Sequence, residues 1–232
     1  MKRSKRYKEA FAKIDKNKKY SLKEAIETLK NIASAKYNES VDVAVRLNIN
    51  VKKQDQQIRG TTDLPHGTGK TKKILVLTKG EKEKEAQEAG ADYVGFEEYI
   101  EKIKAGWLDF DCIIATPDTM SEVGKLGKIL GPKGLMPSPK TGTVTFEVGT
   151  QVKALKKGKI EFKSDKGGCV HAPVGRVSFP VEHLEENILT LMQDLTAAKP
   201  ATIKGQFIKS VTISSTIGPG IKLNEKDFLK SK

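Results

Sequence analysis

The sequence predicts a mixed fold, α+β and α/β: both ends of the chain form one discontinuous α+β domain, a split βαβ-like sheet with helices, and the middle forms an inserted three-layer, Rossmann-like α/β domain. Two observations carry this. Apolar residues alternate strictly in the strands before residue 65 and after residue 158, whereas between them they come in short continuous runs separated by helical stretches. A strand with one face in water alternates; a strand buried on both faces does not. Residues 1–67 and 159–232 are therefore expected to build one domain and 68–158 the insertion.

Residues 2–19 carry nine Lys or Arg against Glu9 and Asp15, with Tyr7, Ala10, Phe11 and Ile14 at helical spacing. This reads as a basic helix with one apolar stripe, in which Arg3, Lys5 and Arg6 are candidates to hold phosphates; the alternative is a solvated face over the core. Ser21-Leu-Lys-Glu24 has capping-box spacing and opens a second helix burying Leu22, Ala25, Ile26, Leu29 and Ile32. From Val41 to Val51 every second residue is apolar, which predicts a half-buried strand. Beyond the loop 64–70, the runs Ile74–Leu77 and Cys112–Ala115, the short Asp92–Gly95 and the helical stretches Glu81–Ala89 and Glu97–Ala105 read β-α-β-α-β, a parallel sheet. Alternation returns in Ile160–Phe162, Cys169–Phe179 and Phe207–Ile217, around a helix with Leu184, Ile188, Leu191, Met192 and Leu195 on one stripe. Two chain crossings would join the domains, near Gly67 and Gly69 and near Gly158. Glycines there suit a hinge or an ordinary turn.

The formal net charge of +13 favours a polyanionic partner, without choosing among RNA, DNA and an anionic membrane. No run approaches the roughly 18 apolar residues needed to cross a bilayer, and the N-terminus is not signal-like, so a cytoplasmic protein with no membrane partner is expected. Cys112 and Cys169 have neither CxxC spacing nor a histidine cluster beside them, so reduced thiols, no metal site and no disulfide framework are expected, with Cys112 in a core strand.

Enzyme chemistry finds no local support. Gly69-Lys-Thr71 resembles the end of a phosphate-binding loop, but position 64, where that loop needs glycine, is Leu, and a strand rather than a helix follows. The dinucleotide pattern started by Gly67 and Gly69 fails at Lys72, His66, His171 and His183 are scattered, and neither GxSxG nor HExxH occurs. No catalytic residue and no cofactor is expected. Residues 124–142, with five Gly, four Lys and three Pro, read as a long loop that either approaches phosphates through Lys125, Lys128, Lys133 and Lys140 or forms a structural lid. Leu126, Ile129, Leu130, Leu135 and Met136 should pack back onto the insertion. Tyr37, beside Lys36 and before Glu39 and Ser40, could stack on a base or pack at a strand start, and Glu39 could accept hydrogen bonds from RNA. Residues 214–220, rich in small side chains with free amides, suit close approach of an RNA backbone or form a generic turn.

Several segments, in order along nearly the whole chain, resemble the bacterial L1 family of large-subunit ribosomal proteins. They are Ala35–Leu47 (AKYNESVDVAVRL), Asp55–Thr61, Leu64–Lys70 (LPHGTGK), Gly90–Gly95, Ala115–Asp118, Leu130–Pro137 (LGPKGLMP) and Thr216–Pro219 (TIGP). The resemblance implies the split domain with insertion, and a ribosome-associated, non-enzymatic protein, monomeric when free. It also implies binding of large-subunit rRNA at the mobile stalk, help in releasing deacylated tRNA at the exit site, and repression of translation through the protein's own mRNA. Carried onto this chain, the family's RNA-contacting positions are Lys36, Tyr37, Glu39, Ser40, His171, Thr216, Ile217 and Gly218. Tyr37 stands where the family usually has Phe and should stack equally well. Ile217 replaces the usual Met and is stiffer at its β-branch, which bears on that side chain's contact rather than on the approach of the loop.

Overall fold

The computed structural model describes residues 3–15, 17–51, 53–80, 82–203 and 205–228. Lys2 and Lys16 of the basic run, and Glu81 at an expected helix start, lie outside the described residues. In chain order the elements are α1 (Lys5–Ala12), α2 (Leu22–Ile32), β1 (Ser40–Leu47), β2 (Arg59–Asp63), β3 (Ile74–Leu77), α3 (Lys82–Glu88), β4 (Tyr93–Gly95), α4 (Glu97–Lys104) and β5 (Cys112–Ala115). There follow α5 (Met120–Lys125), α6 (Gly127–Leu130), α7 (Val148–Lys157), β6 (Lys159–Lys163), β7 (Cys169–Arg176), α8 (Val181–Ala197), β8 (Ile208–Ser215) and β9 (Ile221–Leu223). It is a mixed α/β structure whose contacts gather into two compact units, residues 1–69 with 158–232, and residues 70–157.

In the unit made from both ends, β1 lies between β7 and β8 in a four-stranded antiparallel sheet of order β7-β1-β8-β9. Its inward residues Val41, Val43, Val45 and Leu47 meet Leu22, Ala25, Ile26, Leu29 and Ile32 of α2 and Leu184, Ile188, Leu191, Met192 and Leu195 of α8 in one core. Each such side chain fully buried stabilises the unit by about 1.5–3 kcal/mol before entropy is counted. Ser21 caps α2 by accepting a hydrogen bond from the Glu24 amide at 3.4 Å.

The boundaries depart from the pattern where a local competitor or a missing partner intervenes. The basic run is helical only from Lys5 to Ala12, because the Asp15 carboxylate then accepts the Asn17 amide at 2.9 Å and closes a local turn. Alternation persists to Val51, yet β1 ends at Leu47: its neighbours begin at Cys169, opposite Arg46, and at Ile208, opposite Leu47, leaving Ile49 and Val51 no ladder to join. Strand β2 pairs antiparallel with β6. Its sequence, Arg-Gly-Thr-Thr-Asp, has no apolar alternation and gives no strand signal.

In the unit of residues 70–157, β3 is central in a parallel sheet of order β4-β3-β5. Leu75, Leu77, Ile113 and Ala115 point into one apolar cluster with Ile100 and Ile103 of α4. Ile74, Val76 and Ile114 point into another with Ala86 of α3 and Val148, Val152 and Leu155 of α7. Burial on both faces is the reason these strands are continuously apolar. Cys112, on β5, is only half buried. Residues 124–142 are not one long loop: α5 and α6 occupy their first third, because Val123, Leu126 and Leu130 recur at helical spacing and bury against the sheet despite the glycines between them. Ile129, Leu135 and Met136 pack beside them, and Lys125 pairs with Glu122 at 2.7 Å.

Candidate functional site

The register Val41↔Ser215 brings the segment before β1 against the loop after β8, so residues far apart in sequence share one surface. The Ser40 amide donates to Thr216 Oγ1 at 3.0 Å. Glu39 is the centre of the arrangement. It is only 3% exposed, and its two carboxylate oxygens accept the Ala35 amide and the Ile217 amide, each at 3.1 Å. Burial pushes its pKa up, but hydrogen bonds from the Ser215 side chain and the Ile217 and Ala35 amides, with the charge of Arg6, outweigh it and hold the carboxyl below its usual 4.5. Glu39 is thus a clasp between the two segments, not the outward acceptor its sequence context suggests. The loop amides are likewise engaged: Ile217 donates to Glu39 and Gly218 to the Ser215 carbonyl at 3.3 Å, so the expectation of free amides there fails at these two positions. A Cβ on Gly218 would overlap Ser215 Oγ, so a larger residue there would displace the hydroxyl that hydrogen-bonds Glu39.

The same clasp extends to residues after β7. Arg176 Nη1 donates to the Asn38 carbonyl at 2.9 Å, Asn38 Nδ2 donates to Ser178 Oγ at 2.8 Å, and the Ser178 amide donates to Asn38 Oδ1 at 3.2 Å. Sequence reasoning missed Asn38, Arg176, Ser178 and Ser215, because each acts through a partner more than a hundred residues away. With the backbone held, Tyr37 is 54% exposed and Ile217 39% exposed, and Lys36 and Thr216 face solvent. Tyr37 therefore presents its ring outward instead of packing on a helix.

Helix α1 borders this surface. A small crevice is lined by Arg6 and Tyr7 on one side and Glu39, Ile217 and Gly218 on the other. Arg3 lies over the Tyr7 ring, 4.5 Å from its centroid, and Arg3, Lys5 and Arg6 are exposed. His171 is not part of this cluster. It pairs with Ala44, four residues along β1 from Ser40, or roughly 13 Å at ordinary strand rise. It faces solvent there, 3.7 Å from Asp165.

The glycines at the chain crossings have packing reasons. Gly67 and Gly69 have positive φ, and a Cβ on Gly158, at φ +123°, would overlap the Gly67 Cα. Asn187 of α8, fully buried, accepts the His66 amide at 3.1 Å and donates to the carbonyls of Gly67 and Val174 at 3.0 and 2.8 Å.

The model of the ribosomal protein L1p/L10e family matches residues 29–219. The chain belongs to that family. As a ribosomal protein L1 family member it is a structural protein of the large ribosomal subunit that binds rRNA and works in association with the ribosome in the cytoplasm. The match spans Lys36 to Ser40, His171 and Thr216 to Gly218, while Arg3, Lys5 and Arg6 precede it. No helix among the described residues is long and apolar enough to cross a membrane.

The turn before β7 of this L1 family chain brings together side chains that sequence motifs do not join. A histidine does stand beside a cysteine: Cys169 and His171 are two apart on β7 and so share its outer face, and Asp165 lies within reach of both. Scanning for CxxC and for clustered histidines overlooks a Cys-x-His pair that only a strand makes adjacent.

Proposed function

We propose that the unit made from both ends is a discontinuous α+β RNA-binding domain and residues 70–157 a Rossmann-like domain inserted into it. The clasped surface of residues 35–40 and 214–218 would fit the folded stalk rRNA by shape. In this reading Tyr37 stacks on a base or lies on a ribose, the Thr216–Gly218 loop lies along the minor groove, and Lys36, Arg3, Lys5 and Arg6 neutralise phosphates. His171 makes a separate contact farther along the sheet.

The observation that carries this is the Glu39 clasp, which spends buried polar groups to hold an aromatic ring and an aliphatic side chain outward beside a basic helix. A surface held rigid before binding loses little entropy on binding. On the same surface the protein would bind the similar fold in its own mRNA and repress translation. On the ribosome, movement of the inserted domain about the crossings at Gly67, Gly69 and Gly158 would help deacylated tRNA leave. Free, it acts as a monomer.

Filter binding with the stalk rRNA fragment tests the reading. Tyr37→Ala and Lys36→Ala should each weaken binding without altering thermal stability. Unchanged affinity in both variants would remove this surface from the interface.

A further inference from the structure

Among the described residues, one set of three metal-ligand side chains comes together: Asp165, Cys169 and His171, with a carboxylate oxygen, the Sγ and an imidazole nitrogen all within 4.8 Å of one another. They lie at the turn joining β6 to β7, away from the Glu39 clasp. We propose that this turn is a binding site for a borderline divalent cation, of which zinc is the biological representative. The inference does not depend on the RNA reading, but the two share His171, and a cation held here would occupy the imidazole that reading gives to RNA.

The ligand set is the first reason. A thiolate, an imidazole and a carboxylate together suit zinc, and three protein ligands with a water in the fourth position are an ordinary zinc arrangement. Magnesium or calcium would be served by oxygens alone.

The second reason is the order already built into the turn. Asp165 Oδ1 accepts the Gly167 amide at 2.8 Å and the Cys169 amide at 2.7 Å, so the carboxylate is oriented by its backbone. Its other oxygen, Oδ2, is left aimed at His171 Nε2, 3.7 Å away. Orientation of a ligating carboxylate by hydrogen bonds to its second oxygen is how metal sites fix their ligands. Cys169 and His171 project from the same face of β7, the first half buried and the second exposed.

The third reason is that little has to move. In a tetrahedral zinc site neighbouring ligand atoms are roughly 3.3–3.7 Å apart, given bonds of about 2.0–2.3 Å. The carboxylate and imidazole are already at that separation, and the thiol closes the remainder by side-chain rotation. On binding, the thiol proton passes to solvent, and the thiolate and carboxylate together balance the two positive charges of the ion. Two cations are close, Arg46 directly across from Cys169 in the register and Lys166 in the turn, and both are exposed and able to swing outward.

Cobalt(II), added to the untagged, reduced, metal-free full-length chain, is the direct probe, because a thiolate ligand produces a near-ultraviolet charge-transfer band. One cobalt per chain should bind with that band, zinc should displace it, and zinc should raise the melting temperature. Cys169→Ser should abolish the band and Cys112→Ser should keep it. His171→Ala and Asp165→Asn, the latter retaining the oxygen that accepts the turn amides, should each weaken cobalt binding about tenfold or more. Far-ultraviolet circular dichroism matching the parent identifies the variants that remain folded. Absence of a band at saturating cobalt, survival of the band in Cys169→Ser, or unchanged affinity in both His171→Ala and Asp165→Asn would overturn the site.

Discussion

Replacing Glu39 by Gln separates the clasp from the contact surface it supports. The carboxylate is buried and accepts the Ala35 and Ile217 amides and the Ser215 side chain. An amide in its place offers one acceptor oxygen and turns an NH2 toward a backbone N–H, so one buried donor loses its partner. A hydrogen bond to a charged group contributes about 1.5–3 kcal/mol and an orphaned buried donor costs about 1–3 kcal/mol, so E39Q should lose about 2–4 kcal/mol of stability. Urea unfolding followed by far-ultraviolet circular dichroism is the suitable assay, because the single tryptophan, Trp107, lies in the other unit. RNA affinity should fall as well, since the 214–218 loop loses its anchor.

The same residue makes a pH prediction. Its folded pKa lies below the usual 4.5, so the group favours the folded state at neutral pH. That contribution is fully present above 4.5 and disappears as pH falls through the lower folded value. The stability gap between the parent and E39Q should therefore narrow on acidification. An E39Q chain as stable as the parent at neutral pH, or a gap that stays constant down through acid pH, would refute the clasp.

Other outcomes follow from the same geometry. Tyr37→Ala should lower RNA affinity by about 1–3 kcal/mol by filter binding, with urea unfolding unchanged, because half of the ring faces water. Asn187→Ala strands the His66 amide and the carbonyls of Gly67 and Val174, and should cost about 2–4 kcal/mol in urea unfolding. Gly158→Ala places a Cβ on the Gly67 backbone at positive φ and should cost about 2 kcal/mol or more, read as a lower melting temperature. Replacing Arg3, Lys5 and Arg6 by Gln should make the slope of log affinity against log salt shallower, by about 0.7–0.9 for each phosphate that is no longer neutralised.

The core was legible in the sequence because burial imposes a period on it. The apolar positions of α2 and α8 and the two-faced strands β3 and β5 follow directly from spacing. What stayed hidden lacked a period or depended on distance. Strand β2 is polar and is made a strand by β6; α6 and α7 carry glycines that obscure the spacing of Leu126 and Leu130 and of Val148, Val152 and Leu155. In the candidate site, Tyr37, Thr216 and Ile217 could be named from local composition and resemblance. The work of Glu39 could not, since its partner amide lies 178 residues away. Asp165, Cys169 and His171 sit within seven residues of one another, yet only the turn and the strand make them neighbours.

The backbone contact between Gly67 and Gly158 also shapes how the chain assembles. The inserted segment starts and finishes at nearly one point, so once folded it acts on the surrounding polypeptide as a tight reverse turn would. It roughly halves the effective loop separating Glu39 from Ile217, which by loop-closure entropy eases their meeting by only about 0.6 kcal/mol. Its larger effect is topological: shortening the segment between those two glycines should leave the strands that carry the clasp in place, read as unchanged urea unfolding of the remaining unit.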